Sequence, residues 1–275
     1  MLELNKTYNM DCVEGLKQID ENTVDLIVTS PPYNVGIDYD SYSDDLPWDE
    51  YIKWCEEWLK ECFRVLKDDG RICINHYINY DIGEGVCRFP LFDFRNIMER
   101  IGYTVHKLAI WEDRTTTKHT AWGSWCSASA PNILTPYEGV LIAYKKQWKK
   151  KNSGESTIDK ETFMEGVSGI WNLGTTIGKT KACFPESLPN MCIQLLTYKG
   201  DLVVDPFMGS GTTAVVAKRT GRNFIGFELS PNYTAVANAR LIGSEPPIVQ
   251  KTESGEELQK FDISSMIEGE NYDNY

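Results

Sequence analysis

Apolar runs alternate with amphipathic stretches along most of the chain, and this alternation predicts strands separated by helices. Residues 24–29 read V-D-L-I-V-T, which is typical of a strand buried on both faces. Residues 48–66 repeat their aromatic, cysteine and leucine residues at helical spacing, which predicts an amphipathic helix. The predicted strands cover 24–29, 71–75, 105–111, 140–144, 202–204 and 223–227, and the predicted helices cover 48–66, 94–101, 188–198, 212–219 and 231–241.

Strands joined by helical crossovers favour an α/β fold, with a mostly parallel twisted sheet and helices on both of its faces. Asp69 and Gly70 predict a turn into the strand at 71–75. Residues 112–138 and 146–180 break the alternation and carry tryptophans and lysines. Such insertions either serve recognition or are long loops held down by their tryptophans.

The first apolar run ends abruptly in the sequence T-S-P-P-Y-N at 29–34. Proline lacks a backbone N–H and fixes its own φ, so the strand must end at Ser30 and a rigid turn must follow. In open α/β sheets, the ends of strands border the crevice in which ligands bind. Taken alone, the motif favours a turn whose Tyr33 packs on the core, so its context has to decide between the two interpretations.

A second motif, L-V-V-D-P-F-M-G-S-G-T-T, occupies 202–213 and places an acid and two glycines between a strand and a helix. Glycines allow close approach of the backbone to a ligand, and a helix N-terminus offers free N–H groups. The spacing matches neither a P-loop nor the dinucleotide fingerprint. Glu228 ends the next strand, where an acid can accept hydrogen bonds from ribose hydroxyls.

Composition narrows the class of protein further. A chain of 275 residues with 41% hydrophobic residues can bury a large core. Its eight cysteines form no C-x-x-C pair and its three histidines lack ligand spacing, so reduced thiols and no metal site are expected. The N-terminus does not resemble a signal peptide and no apolar run could span a bilayer, so a cytoplasmic location is expected.

Charge is distributed unevenly along the chain. The net charge is −12 at pH 7, which argues against a nonspecific polyanion binder. Residues 105–181 carry 11 Lys and Arg against 7 Asp and Glu, and include K-K-Q-W-K-K-K at 145–151. If the protein binds a polyanion, these residues, Arg219 and Arg222 should line the cleft; otherwise the lysine run is a solvated surface.

The two motifs together resemble those of the amino-methylating DNA methyltransferases, which modify N4 of cytosine or N6 of adenine. D-P-F-M-G-S-G-T-T is similar to the family's S-adenosylmethionine motif, and T-S-P-P-Y-N is similar to its catalytic motif. Here the catalytic motif comes first, an order similar to the permuted beta class. The resemblance covers roughly residues 5–242 and implies a Rossmann-like methyltransferase fold with irregular target-recognition insertions.

The resemblance also implies roles for individual residues. Ser30, Pro31, Pro32 and Tyr33 would form the catalytic turn that holds the target base. S-adenosylmethionine would be the methyl donor, with no metal required. Its implied binding residues are Asp11 and Cys12 at the adenine ring, Pro185, Ser187 and Leu188 near the methionine end, Asp205, Phe207, Gly209, Ser210, Gly211, Thr212 and Thr213 along the methionine and ribose, and Glu228 at the ribose hydroxyls.

These residue types suit the implied chemistry. An exocyclic base amine is a poor nucleophile because its lone pair is delocalised into the ring. The Ser30 hydroxyl and the Pro31 carbonyl can accept its two N–H bonds, and Pro32 keeps that carbonyl fixed. Tyr33 would stack on a base flipped out of the duplex. Because many adenine-modifying relatives carry an acid in place of Ser30, N4 of cytosine is favoured, with N6 of adenine as the alternative.

Two other classes of protein are weighed against this interpretation. RNA or protein-amide methyltransferases usually place the cofactor glycines before the catalytic turn, unlike this chain. A noncatalytic nucleic-acid-binding module should have lost one motif, whereas both are intact. The expected partners are double-stranded DNA, a cognate restriction endonuclease and a second copy of the chain, with no membrane, in the cytoplasm of a bacterium or archaeon or encoded by a phage.

The resemblance divides the chain into four regions. Residues 1–111 are the predicted catalytic half, and 112–180 are an inserted target-recognition region with a core strand at about 139–145. Residues 181–243 are the predicted cofactor-binding half. Residues 244–275 are polar and acidic, and a flexible tail is expected there.

Overall fold

The computed structural model of the protein describes residues 2–37, 39, 41–42, 44–83, 86–112, 123–174 and 184–243. The predicted tail at 244–275 therefore lies outside the described residues. No helix in the described ranges is long and apolar enough to cross a membrane. The seven cysteines in those ranges are free thiols, and Cys183 lies outside them.

A sheet of eight strands forms the centre of the molecule, and a separate two-stranded hairpin lies beside it. The strands are β1 (Lys6–Asn9), β2 (Val24–Thr29), β3 (Leu66–Tyr77), β4 (Tyr80–Asp81), β5 (Cys87–Arg88), β6 (Thr104–Glu112), β7 (Tyr137–Tyr144), β8 (Ile170–Trp171), β9 (Leu202–Asp205) and β10 (Asn223–Glu228). The order across the sheet is β1-β10-β9-β2-β3-β7-β6-β8. β7 runs antiparallel to both of its neighbours and the remaining pairings within this sheet are parallel, so the predicted, mostly parallel sheet is confirmed.

Helices cover both faces of the sheet, as predicted. The helices are α1 (Cys12–Leu16), α2 (Trp48–Val65), α3 (Pro90–Ile101), α4 (Lys160–Ser168), α5 (Ser187–Leu196), α6 (Thr212–Arg219) and α7 (Pro231–Ile242). One face is filled by a core that joins Trp58 of α2 to Phe94 of α3. The opposite core joins Ile193 of α5 to Val216 of α6. Each core removes its large side chains from water, which is the main favourable term in folding.

The predicted turn at Asp69 and Gly70 is wrong, because both residues lie within β3. The extra residues are accommodated by a register shift: Val24 pairs with Leu66, whereas Leu26 pairs with Arg71. A bulge of this kind lets a strand keep its direction while it absorbs additional residues.

Residues 112–180 are only partly an insertion. β7 occupies an interior position of the sheet, and β8 forms its edge beside β6. α4 also belongs to the ordered fold, with Asp159 capping its first turn by accepting a hydrogen bond from the Thr162 amide at 2.8 Å. The stretch at 146–180, predicted to be irregular, therefore contains a helix and a strand.

Candidate active site

A pocket lies at the carboxyl ends of the parallel strands, where β2 and β9 are neighbours. From β2 the sheet continues through β3, and from β9 it continues the other way through β10, so this is the point where the strand order reverses. Such a switch point leaves a crevice because the two connecting chains depart in opposite directions. The loops after β1, β2, β9 and β10 all contribute lining residues.

Asp205 connects the two motifs found in the sequence. Its Oδ1 accepts a hydrogen bond from the Thr29 hydroxyl at 2.8 Å, and its Oδ2 accepts one from the Thr213 hydroxyl at 2.7 Å. The carboxyl is fully buried, and burial raises its pKa to about 6 although these hydrogen bonds lower it. Asp205 does not itself line the pocket; it anchors the glycine loop and the end of β2 to each other.

The glycine loop at 206–211 wraps one side of the pocket, to which it contributes Phe207, Gly209 and Ser210. Gly209 has φ +52°, a backbone conformation that side chains disfavour, and its amide donates to Glu228 Oε2 at 2.8 Å. Gly211 serves packing instead: it has φ +80°, and a Cβ there would stand 2.7 Å from the Cβ of Ala237 in α7.

Glu228 ends β10 and lines the pocket. Besides the Gly209 amide, its carboxylate accepts a hydrogen bond from the Ser230 amide at 2.8 Å. Burial raises the pKa of this carboxyl, although the two backbone hydrogen bonds act in the opposite direction. Each carboxylate oxygen keeps a further lone pair, so the fixed group can still accept hydrogen bonds from a ligand.

Asp11 and Cys12 follow β1, which the sequence did not predict, and both line the pocket. Asp11 Oδ1 caps α1 by accepting from the Val13 amide at 2.9 Å and the Glu14 amide at 3.1 Å. Since β1 pairs with β10, these residues lie on the same side of the pocket as Glu228. The N-terminal segment thus lines the pocket next to the loops that follow β9 and β10.

The segment before α5 contributes one lining residue, Phe184. Of the residues predicted here, Pro185 and Ser187 do not line the pocket, and the Ser187 hydroxyl donates to the Leu173 carbonyl at 2.5 Å. Leu188 is fully buried in the core beneath the sheet. These residues support the wall of the pocket through the backbone that follows Phe184.

The catalytic turn predicted from sequence contributes Ser30 and Pro32 to the pocket lining, whereas Pro31 and Tyr33 are buried behind it. The Ser30 hydroxyl donates to the Tyr33 hydroxyl at 3.0 Å. Tyr33 in turn donates to Glu138 Oε2 at 2.7 Å, with Asn75 Oδ1 at 3.2 Å as a second acceptor. Burial and the nearby Glu138 carboxylate raise the pKa of Tyr33 well above its usual value, so this hydroxyl stays protonated.

Two residues that the sequence did not single out hold this turn from behind. The Tyr51 hydroxyl donates to the Pro32 carbonyl at 2.6 Å. His76 is fully buried and stacks on Tyr33, with 4.1 Å between the ring centroids. One face of the Tyr33 ring is therefore occupied by His76. The predicted stacking of Tyr33 on a target base stays a prediction, and it would require the other face.

An aromatic wall completes the pocket, and no sequence motif pointed to it. Tyr39 and Tyr42, in the loop after the catalytic turn, line the pocket together with Trp54 of α2. The rings of Trp54 and Phe207 are 5.4 Å apart. The amphipathic pattern of α2 marked its buried face and could have suggested Trp54, but contacts made by the loop at 34–46 depend on the tertiary fold.

The charges of the pocket favour a cationic ligand without phosphate groups. Among the described residues, no Lys, Arg or His lines it, whereas Asp11 and Glu228 do. Aromatic rings attract cations through the negative potential of their faces. The acidic and aromatic lining therefore fits a ligand that carries a positive charge and hydrogen-bond donors. The described residues contain no cluster of three or more metal-binding side chains.

The basic run at 145–151 is not at this pocket, and its predicted place on the cleft is wrong. Lys150 pairs with Asp25 at 2.8 Å and with Asp201 at 2.6 Å, at the amino ends of β2 and β9. Lys145 donates to the Leu66 carbonyl at 2.8 Å, and Arg222 is buried at the start of β10. These side chains neutralise and cap the end of the sheet opposite the pocket. Arg219 is exposed and pairs with Glu186 at 2.7 Å.

Fold and site together define a Rossmann-like methyltransferase: a switch-point pocket with a glycine loop, an acid at the end of the next strand and a Ser-Pro-Pro-Tyr turn opposite. A model of the N6/N4 DNA methylase family matches residues 24–239. The archaeal type II methyltransferase M.MjaVI of Methanocaldococcus jannaschii is 44% identical over 149 residues, which cover 54% of this chain and 76% of that protein.

The similarity extends along the chain in other relatives. The type II methyltransferase M.HinfI of Haemophilus influenzae is 30% identical over 277 residues, covering 88% of this chain and 70% of that protein. The structure of TTHA0409 from Thermus thermophilus, complexed with S-adenosyl-L-methionine, has a TM-score of 0.70 and 27% identity, covering 86% of this chain and 93% of the other. This chain belongs to the N6/N4 DNA methylase family. It is a DNA methyltransferase that uses S-adenosylmethionine as its methyl donor, as the sequence predicts.

Proposed function

We propose that this DNA methyltransferase modifies N4 of cytosine, in a base flipped out of double-stranded DNA. The observation that carries the proposal is the Ser30 hydroxyl, which lines the pocket and donates its proton to Tyr33. Because that proton is committed, the lone pairs of Ser30 are left to accept an N–H from an amine. A hydroxyl rather than a carboxylate at this position favours cytosine over adenine in the family that the sequence resembles.

The cofactor is proposed to lie between the glycine loop and Glu228, where it supplies an electrophilic methyl group. Glu228 would accept hydrogen bonds from the ribose hydroxyls, and Asp11 with the backbone of Cys12 would contact the adenine. Phe207, Gly209, Ser210 and Thr212 would line the remainder. Asp205, Gly211, Thr213, Pro185, Ser187 and Leu188 would act indirectly, by holding these pocket residues in position.

The protein's part in the reaction is then to bind and orient the amine. Ser30 and the Pro31 carbonyl would accept its two N–H bonds, and Pro32 and Tyr51 keep the turn rigid. Fixed acceptors cost no reorganisation when the amine reacts, and this accounts for much of the rate gained by such sites. N6 of adenine is the alternative target, since it presents the same pair of N–H bonds.

A cognate restriction endonuclease and a second copy of the chain are further proposed partners. For the second copy, Phe163, Met164 and Val167 of α4 and Ile170 of β8 offer exposed apolar side chains at the edge of the sheet. The segment between Glu112 and Tyr137 would read the DNA sequence, because β6 ends and β7 begins at the same edge of the sheet as the pocket. We further propose that the protein works in the cytoplasm.

Methylation of mixed-sequence DNA, followed by mass spectrometry of the nucleosides, tests the target directly. N4-methylcytosine supports the proposal, whereas N6-methyladenine alone would contradict it. In the same assay we expect Ser30→Ala to lower the single-turnover rate by about 100-fold, the loss typical of one fixed catalytic group. Cofactor affinity by calorimetry should stay close to that of the wild type. Ser168→Ala, an exposed serine in α4, is the control and should keep full activity.

A further inference from the structure

Ser30, Tyr33 and Glu138 form a continuous hydrogen-bonded chain that leads from the pocket wall into the protein. The Ser30 and Tyr33 hydroxyls are 3.0 Å apart, and the Tyr33 hydroxyl is 2.7 Å from Glu138 Oε2. Glu138 lies near the start of β7, directly opposite Tyr77 in β3 and Trp111 in β6. Ser30 and Tyr33 belong to one sequence motif, whereas Glu138 is 105 residues further along the chain than Tyr33.

The hydrogen-bond acceptors determine the direction in which each group of this hydrogen-bonded series donates its proton. A carboxylate can only accept, so the Tyr33 hydroxyl must donate its proton to Glu138. A hydroxyl has one proton, and Tyr33 can therefore only accept from Ser30. Ser30 in turn has no proton left for the pocket, toward which it presents lone pairs. Every link thus points away from the pocket and toward the carboxylate.

The geometry of the chain is held rigidly. His76 is fully buried and stacks on the Tyr33 ring at 4.1 Å, while Tyr77 packs against its edge at 4.8 Å. The Asn75 side-chain oxygen lies 3.2 Å from the Tyr33 hydroxyl, and the Asn75 amide donates to the Gly139 carbonyl at 3.4 Å, next to Glu138. Two neighbouring strands, β3 and β7, therefore hold the Tyr33 hydroxyl beside the carboxylate.

Methylation of a neutral amine leaves the product nitrogen positively charged, with one proton more than the neutral product. When the neutral nitrogen forms its bond to the methyl carbon, the product carries a positive charge until an N–H bond breaks. Within the part of the chain that the structure describes, the pocket lining includes no histidine or lysine that could take this proton. We propose that Glu138 is the proton acceptor of the reaction and receives the proton through Ser30 and Tyr33. This inference rests on the proposed role of Ser30.

The proton balance closes within these three residues. An N–H bond of the methylated amine breaks and Ser30 Oγ gains that proton, while the proton of Ser30 passes to Tyr33 and the proton of Tyr33 passes to Glu138. Both hydroxyls end neutral, and the carboxylate becomes a carboxylic acid. Release of the product then allows Glu138 to return its proton to water.

Single-turnover methylation by Glu138→Gln, Tyr33→Phe and the double variant tests the relay. Glutamine keeps an oxygen acceptor for Tyr33 but is not basic, and phenylalanine keeps the ring on His76 but removes the hydroxyl. We expect each single variant to lose roughly 100-fold in rate, a loss within the range for general base catalysis. The double variant should lose no more than either single variant, because both changes interrupt one path. Affinities for DNA and cofactor should change by less than about threefold.

Two controls separate the relay from stability and from the proposed site. Tyr103→Phe also removes a buried tyrosine hydroxyl, which donates to the Leu59 carbonyl at 2.9 Å, and it should keep the wild-type rate. If folded Glu138→Gln is as fast as wild type while Ser30→Ala is inactive, the proposed proton relay is wrong but the proposed role of Ser30 is supported. If Ser30→Ala is also fully active, the proposed site fails as well. Losses that multiply in the double variant would likewise refute a single path.

Discussion

Burial shifts the pKa values of two site residues, His76 and Asp205, in opposite directions. Acidification therefore affects the stability of the fold in opposite ways through these two residues. Burial lowers the pKa of His76 from 6.5 to about 3. Burial raises the pKa of Asp205 from 3.8 to about 6. Between about pH 3 and 6.5 the unfolded chain therefore binds a proton at His76 that the folded protein lacks, which destabilises the fold on acidification. Between about pH 3.8 and 6 the folded protein holds the additional proton at Asp205, which has the reverse effect.

In wild type, the His76 contribution to the unfolding free energy falls as the pH is lowered from 7 to 5. We expect His76→Phe to make this loss smaller by roughly 1–2 kcal/mol, since one pKa unit corresponds to about 1.4 kcal/mol. Asp205→Asn should steepen the fall in unfolding free energy over the same range. Urea denaturation at each pH measures both slopes. His106→Phe, at an exposed position, is the control and should change the slope much less. Parallel slopes for wild type and His76→Phe would show that His76 does not resist protonation.

Some residues of the site can be located from the sequence, and others cannot. Ser30, Gly209 and Glu228 line the pocket because they lie beside the ends of β2, β9 and β10, and these strand ends can be located from apolar patterning. Glu138 could not be found in this way. Its relation to Tyr33 depends on β7 running antiparallel beside β3, and neither motif encodes that pairing.

At the scale of elements, Arg240 of α7 holds the glycine loop in place. Its guanidinium donates to the Ser210 carbonyl at 2.8 Å, to the Thr212 hydroxyl at 3.0 Å and to Glu186 at 3.1 Å. Four parts of the chain thus meet at one half-buried side chain: the glycine loop, the start of α6, the segment before α5, and α7. Hydrogen bonds to charged groups contribute more to stability than neutral ones.

We expect Arg240→Met to weaken cofactor binding by about tenfold and to lower the unfolding free energy by roughly 1–3 kcal/mol, because the loop loses its anchor. Calorimetric titration with S-adenosylmethionine and urea denaturation give the two values. Arg219→Met is the matched control, because Arg219 pairs with the same Glu186 from an exposed position on α6. If both variants bind the cofactor equally well, Arg240 does not organise the pocket.

Among the elements, β2 and α6 have the predicted ends because prolines and glycines terminate them sharply. β1 and α4 were missed for different reasons. β1 has only four residues, with no fully buried position. α4 has only nine residues, too few for the helical spacing of Phe163, Met164 and Val167 to stand out, and these side chains are exposed. Short or apolar-exposed elements acquire their structure from the neighbours on which they pack.

At the scale of the whole molecule, the acidic chain uses part of its basic run internally. Lys150 has 11% of its side chain exposed and lies between Asp25 and Asp201, whose side chains are 5% and 18% exposed. Removing one partner of a buried ion pair leaves an uncompensated charge in the interior. Part of the local excess of lysine therefore offsets the repulsion between the Asp25 and Asp201 carboxylates at the amino end of the sheet.

We expect Lys150→Met to lower the unfolding free energy by roughly 3 kcal/mol, since Asp201 would lose its cation and Asp25 would keep only Lys67, at 2.7 Å. Lys149→Met, at the exposed neighbouring position, should change stability by less than about 0.5 kcal/mol. Urea denaturation compares the two variants. The salt dependence of DNA binding should be the same in both and in wild type. A weaker salt dependence of DNA binding for Lys149→Met would show that the basic run at 145–151 is part of the DNA-binding surface.

The chain leaves the sheet after Glu112 and re-enters it at Tyr137, and these two residues face each other in adjacent strands. Whatever lies between them begins and ends at two fixed, neighbouring points. The entropy of closing such a loop grows only slowly with its length. Evolution can therefore lengthen, shorten or exchange this segment without moving Ser30 or Glu228. Under the proposed role of this segment in reading DNA, the choice of DNA sequence is separate from the methyl-transfer chemistry, and a new specificity could be acquired as one contiguous piece of gene.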